Sequence, residues 1–310
     1  MSNFNFKTVG ALVKKEFIEH RVAFLYVPGI IIGAVFLTFV LGMTQNGSNW
    51  RMRGNFSPDA SSGFDLFNTT YAISIIGWLT FILLMLFFYF ASSFSADRKN
   101  NALLFWKSLP VSDLQIMVAK TLAGLSVFPA MVLAWSLVGA ILGFVTLSVA
   151  SANSSFIAAL NSGFSFLTFI NLEISALVFV GLALLWYLPL FAAVGLLGTV
   201  LRSWAVPAFI LILAMIKALE ALATLSGGGY FSALIDQRFK EPFNIVFAML
   251  PPTGAFGLMS GTPIDSLASV ASFVPAYIWA IDWPGMIAGW FVAALFIYAA
   301  SQYRRRRLVS

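Results

Sequence analysis

Residues 169–201 read FINLEISALVFVGLALLWYLPLFAAVGLLGTVL, with Glu173 the one charged residue in the run. About 20 apolar residues suffice to cross the hydrocarbon of a bilayer, so this stretch predicts a membrane-spanning helix with length to spare. A chain that contains it cannot be read as an ordinary soluble domain, and the rest of the sequence agrees. Hydrophobic residues make up 60% of the 310 and charged residues 10%, with a mean hydropathy of +0.91. Soluble domains carry about 25% charged residues. The expected fold class is therefore an all-α integral membrane protein.

Six runs have the length and character of spans: about Val22–Thr44, Tyr71–Phe94, Ile116–Ala150, Phe169–Leu201, Ala205–Leu225 and Pro284–Tyr303. Lys and Arg orient them. With the N-terminus placed inside, the inner side collects Lys7, Lys14, Lys15, Arg21, Arg98, Lys99, Lys107, Lys120, Arg202 and Arg304 to Arg307, thirteen of the eighteen basic residues. The outer side collects Arg51, Arg53, Arg238 and Lys240, and Lys217 falls within the fifth span. That asymmetry is the positive-inside signal, and it predicts both termini in the cytoplasm. The net charge of +6 is thereby explained by topology, and nucleic acid is not an expected partner. The longest stretch outside the spans, about 226–283, falls on the outer side, where short helices are expected to lie at the interface or dip into the membrane. Ser226 to Gly229 is its flexible joint and Pro251-Pro252 breaks any helix.

Residues 1–21 precede the first span. Phe6, Val9, Val13 and Phe17 recur at helical spacing, while Lys7, Lys14, Lys15, Glu16 and Glu19 lie largely off that face, which predicts an amphipathic helix on the inner leaflet. A plain basic flank serving topology is the simpler alternative. At the other end, Arg304 to Arg307 form a stop and an anionic-lipid contact.

The most informative loop is Asp97–Lys120, DRKNNALLFWKSLPVSDLQIMVAK. Ser112 with Gln115 three residues on has the form of a capping box, so a helix should begin near Asp113. Pro110 ends whatever helix precedes it. What remains between two long spans is a short helix with an aromatic knob, Phe105 and Trp106, and basic neighbours. Such an element fits a groove on a soluble partner; it also fits an ordinary intracellular loop, and chemistry alone leaves both open.

The run Asn101–Leu122, NALLFWKSLPVSDLQIMVAKTL, resembles the first cytoplasmic loop of the ABC-2 family of export permeases, with its basic stretch, its k-S-L-P-v-S core and an a-K pair near the start of the next helix. Leu12–Arg21, LVKKEFIEHR, is similar to that family's N-terminal interfacial helix. The resemblance implies that Asn101, Leu104, Phe105, Trp106, Lys107 and Leu109 belong to a coupling helix that contacts a nucleotide-binding ATPase subunit. It also implies a pair of permease chains, expected as a homodimer in a cytoplasmic membrane, with ATP and Mg held by the partner subunit and no cofactor bound by this chain.

Three further features stand out in the residues themselves. Lys217 and Glu220 share a face of the fifth span, where charges are costly, so they are expected either to pair with each other or to mark a polar spot on a translocation path. Gly29/Gly33, Gly139/Gly143 and Gly285/Gly289 have the spacing that lets helices approach closely. Arg202-Ser-Trp204 is a tight turn between spans four and five. No G-x-x-x-x-G-K-[ST] phosphate loop is present, no H-E-x-x-H and no G-x-S-x-G, and the single His20 leaves little room for histidine chemistry. The chain is accordingly expected not to be an enzyme by itself. A membrane scaffold or sensor of an envelope complex is the alternative to transport.

Overall fold

A chain this apolar must satisfy its backbone polar groups within each segment, and helices do so without water. The computed structural model describes residues 6–46, 66–99, 112–153, 166–224, 229–249 and 270–307, and among them the regular structure is helical throughout. The elements are α1 (Phe6–Arg21), α2 (Val27–Asn46), α3 (Leu66–Lys99), α4 (Asp113–Leu122), α5 (Phe128–Asn153), α6 (Phe166–Leu201), α7 (Ala205–Thr224), α8 (Tyr230–Met249), α9 (Val270–Ala280) and α10 (Trp283–Arg307). Two π-helical turns, Val22–Tyr26 and Ala123–Val127, join α1 to α2 and α4 to α5.

Among the described residues, five helical stretches have the length and apolarity to cross a membrane: Lys7–Leu41, Ile73–Ser93, Asp113–Val149, Phe166–Thr224 and Trp283–Arg306. The fourth is not straight. Val194 of α6 and Phe209 of α7 lie in one buried cluster with Ala91 and Ala205, whereas fifteen residues of continuous helix would separate them by about 22 Å. The chain reverses at a 3-10 turn, Arg202–Trp204, where Arg202 has a φ of 55°, the left-handed region that non-glycine residues seldom occupy.

The core is centred on α6, flanked by α3 and α10. Leu79, Ile82 and Leu86 repeat at helical spacing on α3 and are wholly buried. Phe90 stacks on Phe191 of α6 with centroids 5.4 Å apart. Gly198 lies against the carbonyl of Ala91, so closely that a β-carbon there would collide with backbone. The outward faces are as apolar as the core: Val35, Leu211, Leu222 and Phe291 are each more than 60% exposed. An inside as apolar as the outside suits a lipid solvent.

Of the paired glycines, Gly289 lies against Pro189 and Arg238, and Gly29 and Gly139 bring two helices together. A β-carbon on Gly29 would meet the Trp135 ring at 2.8 Å, and one on Gly139 would touch Ile32, so α2 and α5 close on each other there. Gly33, by contrast, faces open space.

The stretch expected on the outer side, with short helices, contains α8 and α9. Pro242 lies inside α8. A proline cannot donate to the carbonyl four residues back, which leaves the oxygen of Arg238 without its helical partner. The Trp186 indole Nε1 of α6 donates to it at 2.9 Å, and Tyr187 donates to the neighbouring Phe239 oxygen at 2.7 Å. The same device recurs in α6, where Pro189 frees the carbonyl of Leu185 and the Trp290 indole of α10 donates to it at 3.1 Å. Arg238 completes the joint. Its guanidinium sits 4.1 Å from the Trp186 ring and donates to the oxygens of Trp186 and Gly285 at 3.1 and 2.9 Å. Trp186 is about 30 Å along α6 from Phe166, so α8 is anchored deep beside that helix.

Candidate coupling site

Asn101, Leu104, Phe105, Trp106, Lys107 and Leu109 lie outside the described residues. The helix that follows them is described, and its start is as the sequence predicts. Ser112 is the N-cap of α4: its hydroxyl accepts from the Gln115 amide at 3.2 Å, and the Gln115 side chain accepts from the Ser112 amide at 3.0 Å. That reciprocal box fixes where the loop ends and the helix begins.

α4 is held from three sides. On the first, Val9 and Leu12 of α1 pack on Ile116 and Ala119, and beside them Glu16 forms an ion pair with Lys120 at 3.0 Å. Both side chains of that pair are 4% exposed. On the second, Lys120 donates to the Ser93 carbonyl of α3 at 2.9 Å, and Tyr89 of α3 donates to Glu16 at 3.1 Å and to the Lys120 carbonyl at 3.2 Å. On the third, Arg304 of α10 reaches Asp113, in the first turn of α4, at 3.1 Å. A charge stripped of water costs several kcal/mol unless paired and hydrogen-bonded, and this cluster supplies both for Glu16 and Lys120.

The face of α1 is thus rotated from the expected one. Val9, Leu12 and Glu16 are buried and Val13 and Phe17 are half-buried, so Glu16 lies on the packed face and not off it. Arg304 likewise departs from the expected lipid-facing run: it is 8% exposed and docks on Asp113, while Arg305 and Arg306 remain exposed.

The two π turns lie just above this layer and against each other. Phe24, in the first, stacks on Phe128, at the end of the second, with centroids 4.1 Å apart and planes 5° from parallel. Tyr89 meets Phe128 edge-on at 4.9 Å, and His20 meets Tyr89 edge-on at 5.0 Å. Each turn immediately precedes an X-Pro step, Val27-Pro28 or Phe128-Pro129. A widened turn gives the proline ring room against the preceding carbonyls, so the helix continues where an α-helix would kink. α1 and α4, locked together below, therefore connect to α2 and α5 through paired, aromatic-packed joints.

Lys217 and Glu220 do share a face of α7, but they do not pair with each other. Lys217 forms an ion pair with Asp236 of α8. Glu220 accepts from the Phe231 amide at 2.8 Å and the Ser232 hydroxyl at 2.6 Å, occupying the N-terminus of α8, where helix amides lack internal acceptors. Lys240 approaches Asp236 at 3.6 Å. The hydrogen bond and charge of Lys217 hold the Asp236 carboxyl below the usual carboxylate range. The two residues expected on a path thus fasten α7 to α8. No group of three or more His, Cys, Asp or Glu residues is placed to hold a metal among the described residues.

Compared with family models, curated proteins and solved structures, the chain matches none.

Proposed function

We propose that the chain is the permease subunit of an ABC-2-type exporter, crossing the cytoplasmic membrane six times with both termini inside. A separate nucleotide-binding subunit holds ATP and Mg and hydrolyses the nucleotide. The observation that carries this reading is the Glu16–Lys120 ion pair at 3.0 Å. It joins the two stretches on which the family resemblance rests, the K-E of Leu12–Arg21 and the a-K of Asn101–Leu122, which lie about a hundred residues apart in sequence. Their union gives a physical reason for both motifs to occur in one chain.

In this reading the six spans comprise α2, α3, α5, α6, α7 and α10, with α6 and α7 the two halves of the folded Phe166–Thr224 stretch. Asn101–Leu109 binds the ATPase. Force on that loop enters α4 at its capped start, and α1, α3 and α10 receive it through Glu16, Ser93 with Tyr89, and Arg304. The joints at Val22–Tyr26 and Ala123–Val127 let the inner layer turn against the spans. A second permease chain completes the transporter, and Lys217 and Glu220 stand on the α7–α8 side proposed to border its path.

The test is replacement of Phe105 and Trp106 by Ala in the full chain. The variant is expected to fold, since the clamp on α4 is built from Glu16, Tyr89, Asp113, Lys120 and Arg304, and to lose the ATPase on purification and with it transport. A variant that retains both in full would refute the assignment of Asn101–Leu109.

A further inference from the structure

A cavity of about 420 Å³ opens between α2, α3 and α5. Its existence follows from the sequence of α5: Ser136, Gly139, Ala140 and Gly143 fall at positions i, i+3, i+4 and i+7, one face of the helix, and none fills the space that a larger side chain would occupy. Val35 and Phe36 form the wall on α2, and Tyr71 and Trp78 form that on α3. The size of the cavity lies in the ~300–1,000 Å³ range of small-ligand pockets.

The polar groups of the lining indicate what it does not hold. The Ser74 hydroxyl donates to the Tyr71 carbonyl at 2.9 Å, Ser136 to Leu133 at 3.0 Å and Thr146 to Leu142 at 2.8 Å, all within their own helices. Those hydroxyl hydrogens are spent on the backbone, and apart from the Tyr71 phenol and the Trp78 indole on α3 the remaining wall is hydrocarbon. The mouth is bordered by Ile31 and Val35, 39% and 64% exposed on the outward face of α2, where the bilayer meets the protein. Along α5 the lining runs from Ser136 to Leu147, about 16 Å at 1.5 Å per residue. One leaflet contributes half of a hydrocarbon core of about 30 Å, so the cavity has the length of one leaflet's acyl chains.

We propose that this cavity seats a single acyl chain of a membrane phospholipid from the leaflet remote from the α1–α4 clamp, with the headgroup beyond Tyr71 and Leu147. The occupant is selected by length and apolar shape and not by headgroup. The site stands independently of the transport reading, because it depends only on α2, α3 and α5 being in lipid.

The experiment uses the full chain in phosphatidylcholine nanodiscs containing a trace of phosphatidylcholine with a photoactivatable diazirine on one acyl chain. Labelled peptides are then located by mass spectrometry. Labelling is expected to concentrate several-fold on residues 31–39, 71–78 and 136–147 relative to the lipid-facing surface of α10 at Ile287, Phe291 and Leu295. Ala140→Phe, which fills the cavity, should abolish that excess and leave the α10 labelling unchanged. Even labelling of the wild-type chain over all lipid-facing helices would overturn the proposal, and so would cavity residues labelled less than α10, the result expected if a second copy of the chain covers the cavity in place of lipid. The wild-type ratio decides the matter even if Ala140→Phe fails to fold.

Discussion

Two lysine–carboxylate pairs hold helices together at different places in this molecule. Glu16–Lys120 joins α1 to α4 with both side chains 4% exposed, and Lys217–Asp236 joins α7 to α8 with side chains 40% and 44% exposed. The first is embedded in a network with Tyr89 and the Ser93 carbonyl; the second shares its carboxylate with Lys240. Burial gives them opposite consequences. Water screens the exposed pair and would solvate either partner left alone. Water does not reach Glu16 or Lys120, and the hydrogen bonds left to either do not replace the opposite charge, so that pair behaves as a single unit. A unit of that kind suits a rigid joint between the inner elements, while the exposed pair suits a fastening that can open.

The largest expected effect therefore falls on the buried pair. Lys120→Met should destabilise the protein by about 3–5 kcal/mol, the cost of one uncompensated buried charge. Measured by denaturant unfolding in mild detergent, the double variant Glu16→Leu with Lys120→Met should regain much of that loss. A double variant as unstable as the single one would show that the pair is not a closed unit.

Next comes the contact that keeps α3 beside α6 at the same end. Gly198→Val should cost about 1–3 kcal/mol, the usual cost of overpacking, because the Ala91 carbonyl occupies the only room for a side chain. Loss of Phe90–Phe191 stacking, read from near-ultraviolet dichroism, would accompany it.

An effect of similar size is expected at the anchor of α8. Trp186→Phe removes the donor to the Arg238 carbonyl and should cost about 1–3 kcal/mol. Pro242→Ala restores a backbone N–H for that carbonyl, so in the Pro242→Ala background the cost of Trp186→Phe should shrink. A double-mutant cycle showing no coupling would contradict the orphaned-carbonyl account.

The smallest effect belongs to the exposed pair. The folded-state pKa of Asp236 is depressed, so the stability it contributes is present above the unfolded carboxylate pKa and is lost as pH falls through the depressed value. Asp236→Asn should differ little from wild type at neutral pH, and the difference should vanish in acid and in high salt. A salt-resistant effect would mean that this pair is covered, as it would be by a second chain.

Apolar length and a capping motif were legible in the sequence. The membrane-crossing helices follow from hydropathy, and the Ser112–Gln115 box marks the start of α4. Glu16 and Lys120 were less legible, because a periodicity argument assigns charged residues to the outside. Yet Glu16 is four residues on from Leu12 and Lys120 four on from Ile116, so each lies on its helix's apolar face. That coincidence of charge with an apolar row was the available signal. Lys217 and Glu220 showed their shared face but not their partners, because those partners lie in another helix, α8. The role of Trp186 and Trp290 could be reached only through Pro242 and Pro189, since an orphaned carbonyl is a property of the backbone and its donor comes from another helix.

If α4 and the residues that hold it serve a loop that grips an ATPase, affinity purification of the full chain in mild detergent from cells that express it naturally should recover a stoichiometric soluble protein carrying a phosphate-loop motif. Recovery of the chain alone or as a clean oligomer, repeated across several detergents, would contradict that role.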